Sequence, residues 1–140
     1  MVMMPATLPE GWEDWLAFFS AQLPRPIEQV EAEDGSLTFT AGDPGEVIVH
    51  LTPSVIRVGE FSVEWRGRDE PEVRARWLGR VYWRRIPPPL AIPVVERLID
   101  AAREMRRSRF RTCEVCEKRF PPESMVDDTT CESCSEQELQ

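Results

Sequence analysis

Between residues 36 and 65 the chain reads SLTFTAGDPGEVIVHLTPSVIRVGEFSVEW. Apolar and polar side chains alternate through this stretch, as they do in strands that bury one face. Turns are expected at residues 42–45, at Pro53 and at Gly59, where Gly and Pro interrupt the alternation. The pattern predicts four short strands in an antiparallel meander. Their apolar residues are Leu37, Phe39, Ala41, Val47, Val49, Leu51, Val55, Ile56, Val58, Phe61, Val63 and Trp65.

One face of such a sheet needs a cover, and the residues before it supply a helix. Thr7-Leu8-Pro9-Glu10 has the spacing of a capping box, so a helix is expected to begin there. The apolar residues that follow share one helical face, and Pro24 and Pro26 end the pattern. We interpret this stripe as core, although an amphipathic helix that binds a partner groove has the same pattern. The expected core comprises Trp12, Trp15, Phe19, Phe39, Val49, Val63 and Trp65.

The segment 69–86 fits two structures. Asp69-Glu70-Pro71-Glu72 is typical of a helix start, and the apolar residues that follow lie on one helical face. The alternation around Gly79 would also suit a hairpin. We prefer the helix, on which Arg76, Arg80 and Arg84 would form a ridge at every fourth residue.

Pro87-Pro88-Pro89 is expected to be a stiff connector, and a further helix is expected after Pro93, with apolar residues at coiled-coil-like spacing as far as Phe110. The predicted fold class is therefore α+β. It has an N-terminal helix, a four-stranded antiparallel meander, one or two further helices and a C-terminal zinc finger. We divide the chain into a body, residues 1–110, and a zinc-finger module, residues 111–140.

Length and charge limit what the protein can be. With 140 residues, 41% hydrophobic, the chain has room for one globular domain and an accessory element. The net charge is −8, yet residues 66–111 hold thirteen Arg against six acidic residues. This segment, which we call the Arg belt, can bind an anionic partner or can be neutralised by acidic residues of the same chain. We favour the second interpretation.

Two CxxC pairs carry the strongest chemical signal, Cys113 with Cys116 and Cys131 with Cys134. Two tight turns brought together in this way supply the four thiolates that Zn²⁺ binds tetrahedrally. Because four thiolates leave no position for water, we expect one structural zinc ion per chain. A redox disulfide and an iron–sulfur cluster are weaker alternatives for these cysteines.

At these residues the tail resembles the short bacterial four-cysteine fingers, among them zinc ribbons and fingers of the TraR/DksA type. The resemblance covers residues 113–138 and implies a metal-binding module with a role in transcription. Two features differ from those fingers. TraR/DksA fingers usually have a longer central spacing, and the glycine common after a CxxC knuckle is here Glu117 and Ser135.

The sequence contains no recognisable catalytic constellation. The only histidine, His50, is expected at the rim of a strand, without the Cys or Ser pattern of a nucleophile. Neither GxGxxG nor GxxxxGK[ST] occurs, so we expect a non-enzymatic protein, with an unrecognised hydrolase as a minor alternative.

We therefore predict a zinc-binding interaction or regulatory protein that acts on a large cytosolic machine. The transcription machinery, and RNA polymerase in particular, is a candidate partner. Direct nucleic-acid binding through the Arg belt is the alternative. The partner-binding candidates are Arg76, Arg80, Arg84, Arg106, Arg107 and Arg109. A cytoplasmic location without a membrane partner is expected, since no signal peptide and no apolar run of about 20 residues is present.

Overall fold

The computed structural model describes residues 11–67 and 70–138. Its elements are α1 (Trp12–Gln22), β1 (Ile27–Glu31), β2 (Leu37–Gly42), β3 (Gly45–Leu51), β4 (Ile56–Arg66), β5 (Glu70–Val81), α2 (Pro88–Ser108), β6 (Arg111–Thr112), β7 (Arg119–Phe120), a 3-10 turn (Pro122–Ser124) and α3 (Glu132–Glu138). None of the described helices is long and apolar enough to cross a membrane.

Five antiparallel strands form the main sheet, in the order β1-β2-β3-β4-β5. The prediction of an α+β fold with an antiparallel meander is confirmed, but its count of four strands is wrong. Gly59 was predicted to be a turn, yet it lies within the single strand β4, paired with Ile48 and Trp77. Strand β1 was not predicted, because four of its five residues are exposed and carry no alternation.

The helix predicted within residues 69–86 is wrong, since residues 70–81 form strand β5 along β4. Hydrogen bonds to β4 run along the whole segment and hold it as the edge strand of the sheet. At Gly79, a Cβ atom would lie 2.9 Å from Leu98 Cδ2 of α2, so the Leu98 side chain packs directly on the glycine backbone. The Arg ridge does not exist. Arg76 pairs with Glu60 and Arg80 with Arg57, which places the two arginines on opposite faces of the sheet.

Helices α1 and α2 cover one face of the sheet. Aromatic rings of α1 contact it directly, and the Phe19 and Phe39 ring centroids are 5.4 Å apart. The core cluster contains Trp12, Trp15, Phe19, Leu23, Leu37, Phe39, Ala41, Val47, Val49, Leu51, Ile56, Val58, Val81, Trp83, Ala91, Val95, Ile99 and Ala102. The opposite face of the sheet, which carries His50, Arg57 and Trp77, has no helix packed on it among the described residues.

Two predicted core residues lie elsewhere. Trp65 is 50% exposed and Val63 is half-buried, whereas the other five predicted core residues are buried. The reason is the unequal length of the strands. The pairing of β3 with β4 ends at Glu60, so residues 61–66 and 70–75 continue as a two-stranded ribbon, which we call the arm.

The two helices that cover the sheet begin at Trp12 and at Pro88. The capping box at residues 7–10 lies outside the described residues, and the described helix follows Gly11, whose φ is +92°. Helix α2 begins at Pro88, so part of the predicted triple-proline connector forms its first turn. Proline is tolerated there because the first N–H groups of a helix have no partner within it.

Candidate metal centre

The first CxxC pair lies on the hairpin of β6 and β7. The amide of Cys113 donates to the Lys118 carbonyl at 2.9 Å, and the amide of Glu117 donates to the Cys113 carbonyl at 2.8 Å. These bonds close a tight turn that carries Cys113 and Cys116. Glu117 has a φ of +62°, the left-handed conformation for which fingers of this kind commonly use glycine. The knuckle therefore forms without its usual glycine.

The second pair lies at the start of α3. Asp127 holds the preceding loop, because its Oδ1 accepts hydrogen bonds from the amides of Thr129 and Thr130 at 2.8 and 2.9 Å. These bonds lower the pKa of the Asp127 carboxyl, chiefly through Thr129. Cys131 then precedes the helix and Cys134 lies in its first turn. The amide of Glu114 donates to the Thr129 carbonyl at 2.8 Å, which joins the two turns.

The structure brings together all four predicted cysteines. Their Sγ atoms lie within 4.8 Å of one another, and those of Cys116 and Cys131 are 4.0 Å apart. A tetrahedral ion with bonds of about 2.3 Å would place its sulfur ligands roughly 3.8 Å apart. Three of the four residues are buried, and Cys116 is half-buried. The cluster is thus positioned to hold a metal ion.

The thiols of this cluster do not ionise independently. Backbone amides, first that of Cys116 and then that of Cys131, lower the pKa of Cys113 to about 6. A hydrogen bond with Cys131, together with burial and the other thiols, raises the pKa of Cys134 to about 12. Four adjacent thiolates therefore need a cation among them.

Little else holds the module around the cysteines. Phe120 and Met125 pack against the cluster, whereas Val115 and Val126 are 52% and 54% exposed. Most of the buried side chains between residues 111 and 138 are thus the cysteines themselves.

Arg106 joins the module to the body. This predicted partner-binding residue is only 2% exposed, so it cannot face a partner. Its Nε donates to the Gly45 carbonyl at 2.9 Å, and its Nη2 pairs with Glu123 of the module. Its guanidinium lies 5.0 Å from the ring centroid of Phe61 and 5.4 Å from that of Phe110.

Arg107 of α2 and Arg109, which follows the helix as its C-cap, are neutralised within the chain as well. Arg107 Nε donates to Glu46 Oε1 at 2.9 Å, and Arg109 Nε donates to Glu60 Oε2 at 2.6 Å. The Glu60 side chain is fully buried, and its hydrogen bond raises the pKa of Arg109. At this end of the Arg belt, the arginines are thus neutralised by acidic residues of the same chain. Sequence reasoning missed Glu60, because the turn predicted at Gly59 separated it from the apolar positions Ile56 and Val58 of the same strand.

The other predicted arginines are separated from this cluster. Arg76 and Arg109 line a cleft of about 520 Å³ between sheet and module, which Asp127 and Asp128 also line. Arg80 lies on the open face, and Arg84 lies beyond the end of β5. Within residues 11–67 and 70–138, Arg76, Arg80 and Arg84 make no ion pair.

Comparison of this chain with known protein families, with curated proteins and with solved structures finds no match.

Proposed function

We propose that this chain is a non-enzymatic binding protein whose C-terminal module is folded around one structural Zn²⁺ ion. The observation that carries the proposal is the buried cluster of four cysteine Sγ atoms within 4.8 Å of one another. Cys113, Cys116, Cys131 and Cys134 are the ligands. Sulfur ligands in a tetrahedron favour zinc, and four of them leave no open position for substrate or water.

The ion has a mechanical role in this proposal. Zinc fixes residues 111–138, and the fixed module presents Glu123 to the buried Arg106. The ion pair then anchors the module against α2, β3 and the ring of Phe61. Zinc binding and the arrangement of module and body are therefore coupled.

The partner in this proposal is a protein, and its contact surface is the arm. One side of the arm carries the paired residues Val63 and Val73, followed by Trp65 and Pro71. Val73 and Trp65 are 53% and 50% exposed. The opposite side is neutralised by ion pairs of Arg66 and Arg74 with Glu64 and Glu72. Exposed Trp with aliphatic neighbours is typical of the centre of a protein interface. The transcription machinery is the partner class we propose.

This role is tested by site-specific photo-crosslinking in cells of the source organism. A photoreactive residue in place of Val73 should capture one dominant protein, because Val73 lies on the proposed contact surface. The same residue in place of Arg97, exposed on α2, serves as the control and should not capture it. Trp65→Ala should remove the product from position 73. Equal capture from both positions, or capture unchanged by Trp65→Ala, would contradict the role of the arm.

A further inference from the structure

The open face of the sheet carries a row of basic side chains across three neighbouring strands. His50 of β3 is directly opposite Arg57 of β4, and Arg57 is directly opposite Arg80 of β5. Side chains of such cross-strand pairs lie about 5 Å apart, and like charges placed there are destabilising. Among the described residues, the Arg57 and Arg80 side chains have neither an ion pair nor a hydrogen bond. An anion bound between Arg57 and Arg80 would offset the repulsion between these two side chains.

An exposed aromatic ring lies one step further along the same face. Trp77 is opposite Gly59 and is 47% exposed. A Cβ atom on Gly59 would lie 3.0 Å from Trp77 Cε3, so the indole ring lies directly over the glycine backbone. The His50 ring centroid is 6.5 Å from that of Trp77. Contact with Gly59 and His50 fixes the indole while much of its surface remains accessible.

Charge and ring together form one cleft. Its volume is about 340 Å³, and Arg57, Trp77, Leu78, Gly79 and Arg80 line it. Close by, Tyr82 is 40% exposed and lies between two arginines. Its ring centroid is 5.8 Å from Cζ of Arg80 and 5.5 Å from Cζ of Arg85. A planar ring next to guanidinium groups without ion pairs suits a nucleotide, because the ring can stack on the base while the guanidinium groups contact the phosphate.

We infer that this open face binds single-stranded nucleic acid, with a base stacked on Trp77 and neighbouring phosphates held by Arg57 and Arg80. Along β4, Arg57 lies two residues from Gly59, the partner of Trp77, so the row of His50, Arg57 and Arg80 is about 7 Å from Trp77 along the strand direction. Duplex bases are already stacked on one another and offer no face to the indole. The site differs from the arm surface, because Trp65 lies six strand positions from Trp77, roughly 20 Å.

Net charge determines how this binding behaves. At −8 the protein as a whole repels an anionic strand, so the interaction depends on the local row and cleft. Salt screens charges beyond about 8 Å at physiological ionic strength, which leaves direct contacts effective. Each phosphate contact on a single strand contributes about −0.7 to the slope of log affinity against log salt concentration.

The test measures fluorescence anisotropy of labelled dT12 and U12 with the full-length zinc-loaded protein at several salt concentrations. We expect saturable binding to at least one of the two strands. Trp77→Ala should lower the affinity for that strand at least about fivefold. Trp77→Phe should lower it less, because a phenyl ring can still stack on a base. Changing Arg57 and Arg80 together to Gln should reduce the salt slope by about 1.4.

Matched controls separate this site from general charge effects and from the arm. Trp65→Ala removes an equally exposed indole from the arm, and Arg97→Gln removes an exposed charge from α2; both should leave strand affinity unchanged. Thermal unfolding verifies that each variant is folded.

The inference is overturned if neither strand binds or if Trp77→Ala binds equally well. It is likewise overturned if duplex DNA, free dTMP or polyglutamate binds with the same affinity as the oligonucleotides. The proposed protein contact is tested separately, through Trp65 of the arm. Absence of nucleic-acid binding would therefore not contradict that contact.

Discussion

Replacing Cys131 with serine is expected to release the bound metal and to unfold residues 111–138. Cys131 is 2% exposed, and its Sγ lies 4.0 Å from that of Cys116. A serine hydroxyl is a poor substitute for a thiolate, and binding free energies of about 10–16 kcal/mol are typical of structural zinc in small fingers. Few apolar contacts would hold the module once the ion is lost. Hydrogen exchange should show loss of protection in this segment, while the strands of the body remain protected.

Ser133→Ala provides the matched control. Ser133 is exposed between the ligands Cys131 and Cys134 and makes no side-chain hydrogen bond among the described residues. This variant should retain both metal and protection. Metal retained by Cys131→Ser, with unchanged exchange in residues 111–138, would show that the four cysteines do not act as one site.

Arg106→Ala is expected to lower the free energy of unfolding by about 3–5 kcal/mol, the range for breaking a buried ion pair. The side chain is 2% exposed, and its loss leaves the Gly45 carbonyl and the Glu123 carboxylate without their donor. Because Glu123 retains 19% exposure, water can partly replace the lost partner, so we expect the lower end of this range. Urea denaturation measures the change, and hydrogen exchange at the amides of Glu123 and Ser124 reports whether the module has separated from α2.

A double-mutant cycle assigns this effect to the ion pair. Glu123→Ala should also be destabilising, because it leaves the buried guanidinium of Arg106 without its carboxylate, and the two changes together should cost less than their sum. Arg97→Ala on the exposed side of α2 should stay within about 0.5 kcal/mol of the unchanged protein. Additive effects at positions 106 and 123 would contradict a direct coupling between body and module.

Much of the fold follows from local patterns. Alternation predicted β2 and β3, and the helical stripe predicted the buried residues Trp12, Trp15 and Phe19. The spacing of the cysteines predicted a cluster that the structure brings together, because two CxxC turns need few other constraints to meet.

What the sequence did not reveal depends on contacts between distant residues. Periodicity alone left residues 70–81 ambiguous, and pairing with β4 decided for a strand. Trp65 was predicted to be buried because alternation assigns a face without showing where the neighbouring strand ends. Arg106 and Glu60 were ordinary members of charged segments until α2 was packed against the sheet. Side-chain type could not distinguish an arginine that faces solvent from one that joins two parts of the chain.

X-ray absorption at the zinc edge, with elemental analysis of full-length protein purified without chelator, tests whether the four cysteines hold a structural zinc ion. We expect one zinc per chain, surrounded by four sulfur atoms at about 2.3 Å. A shell containing nitrogen or oxygen ligands would contradict assignment of the metal to Cys113, Cys116, Cys131 and Cys134. Iron in place of zinc, or protein that is folded at residues 111–138 without any metal, would contradict the structural zinc itself.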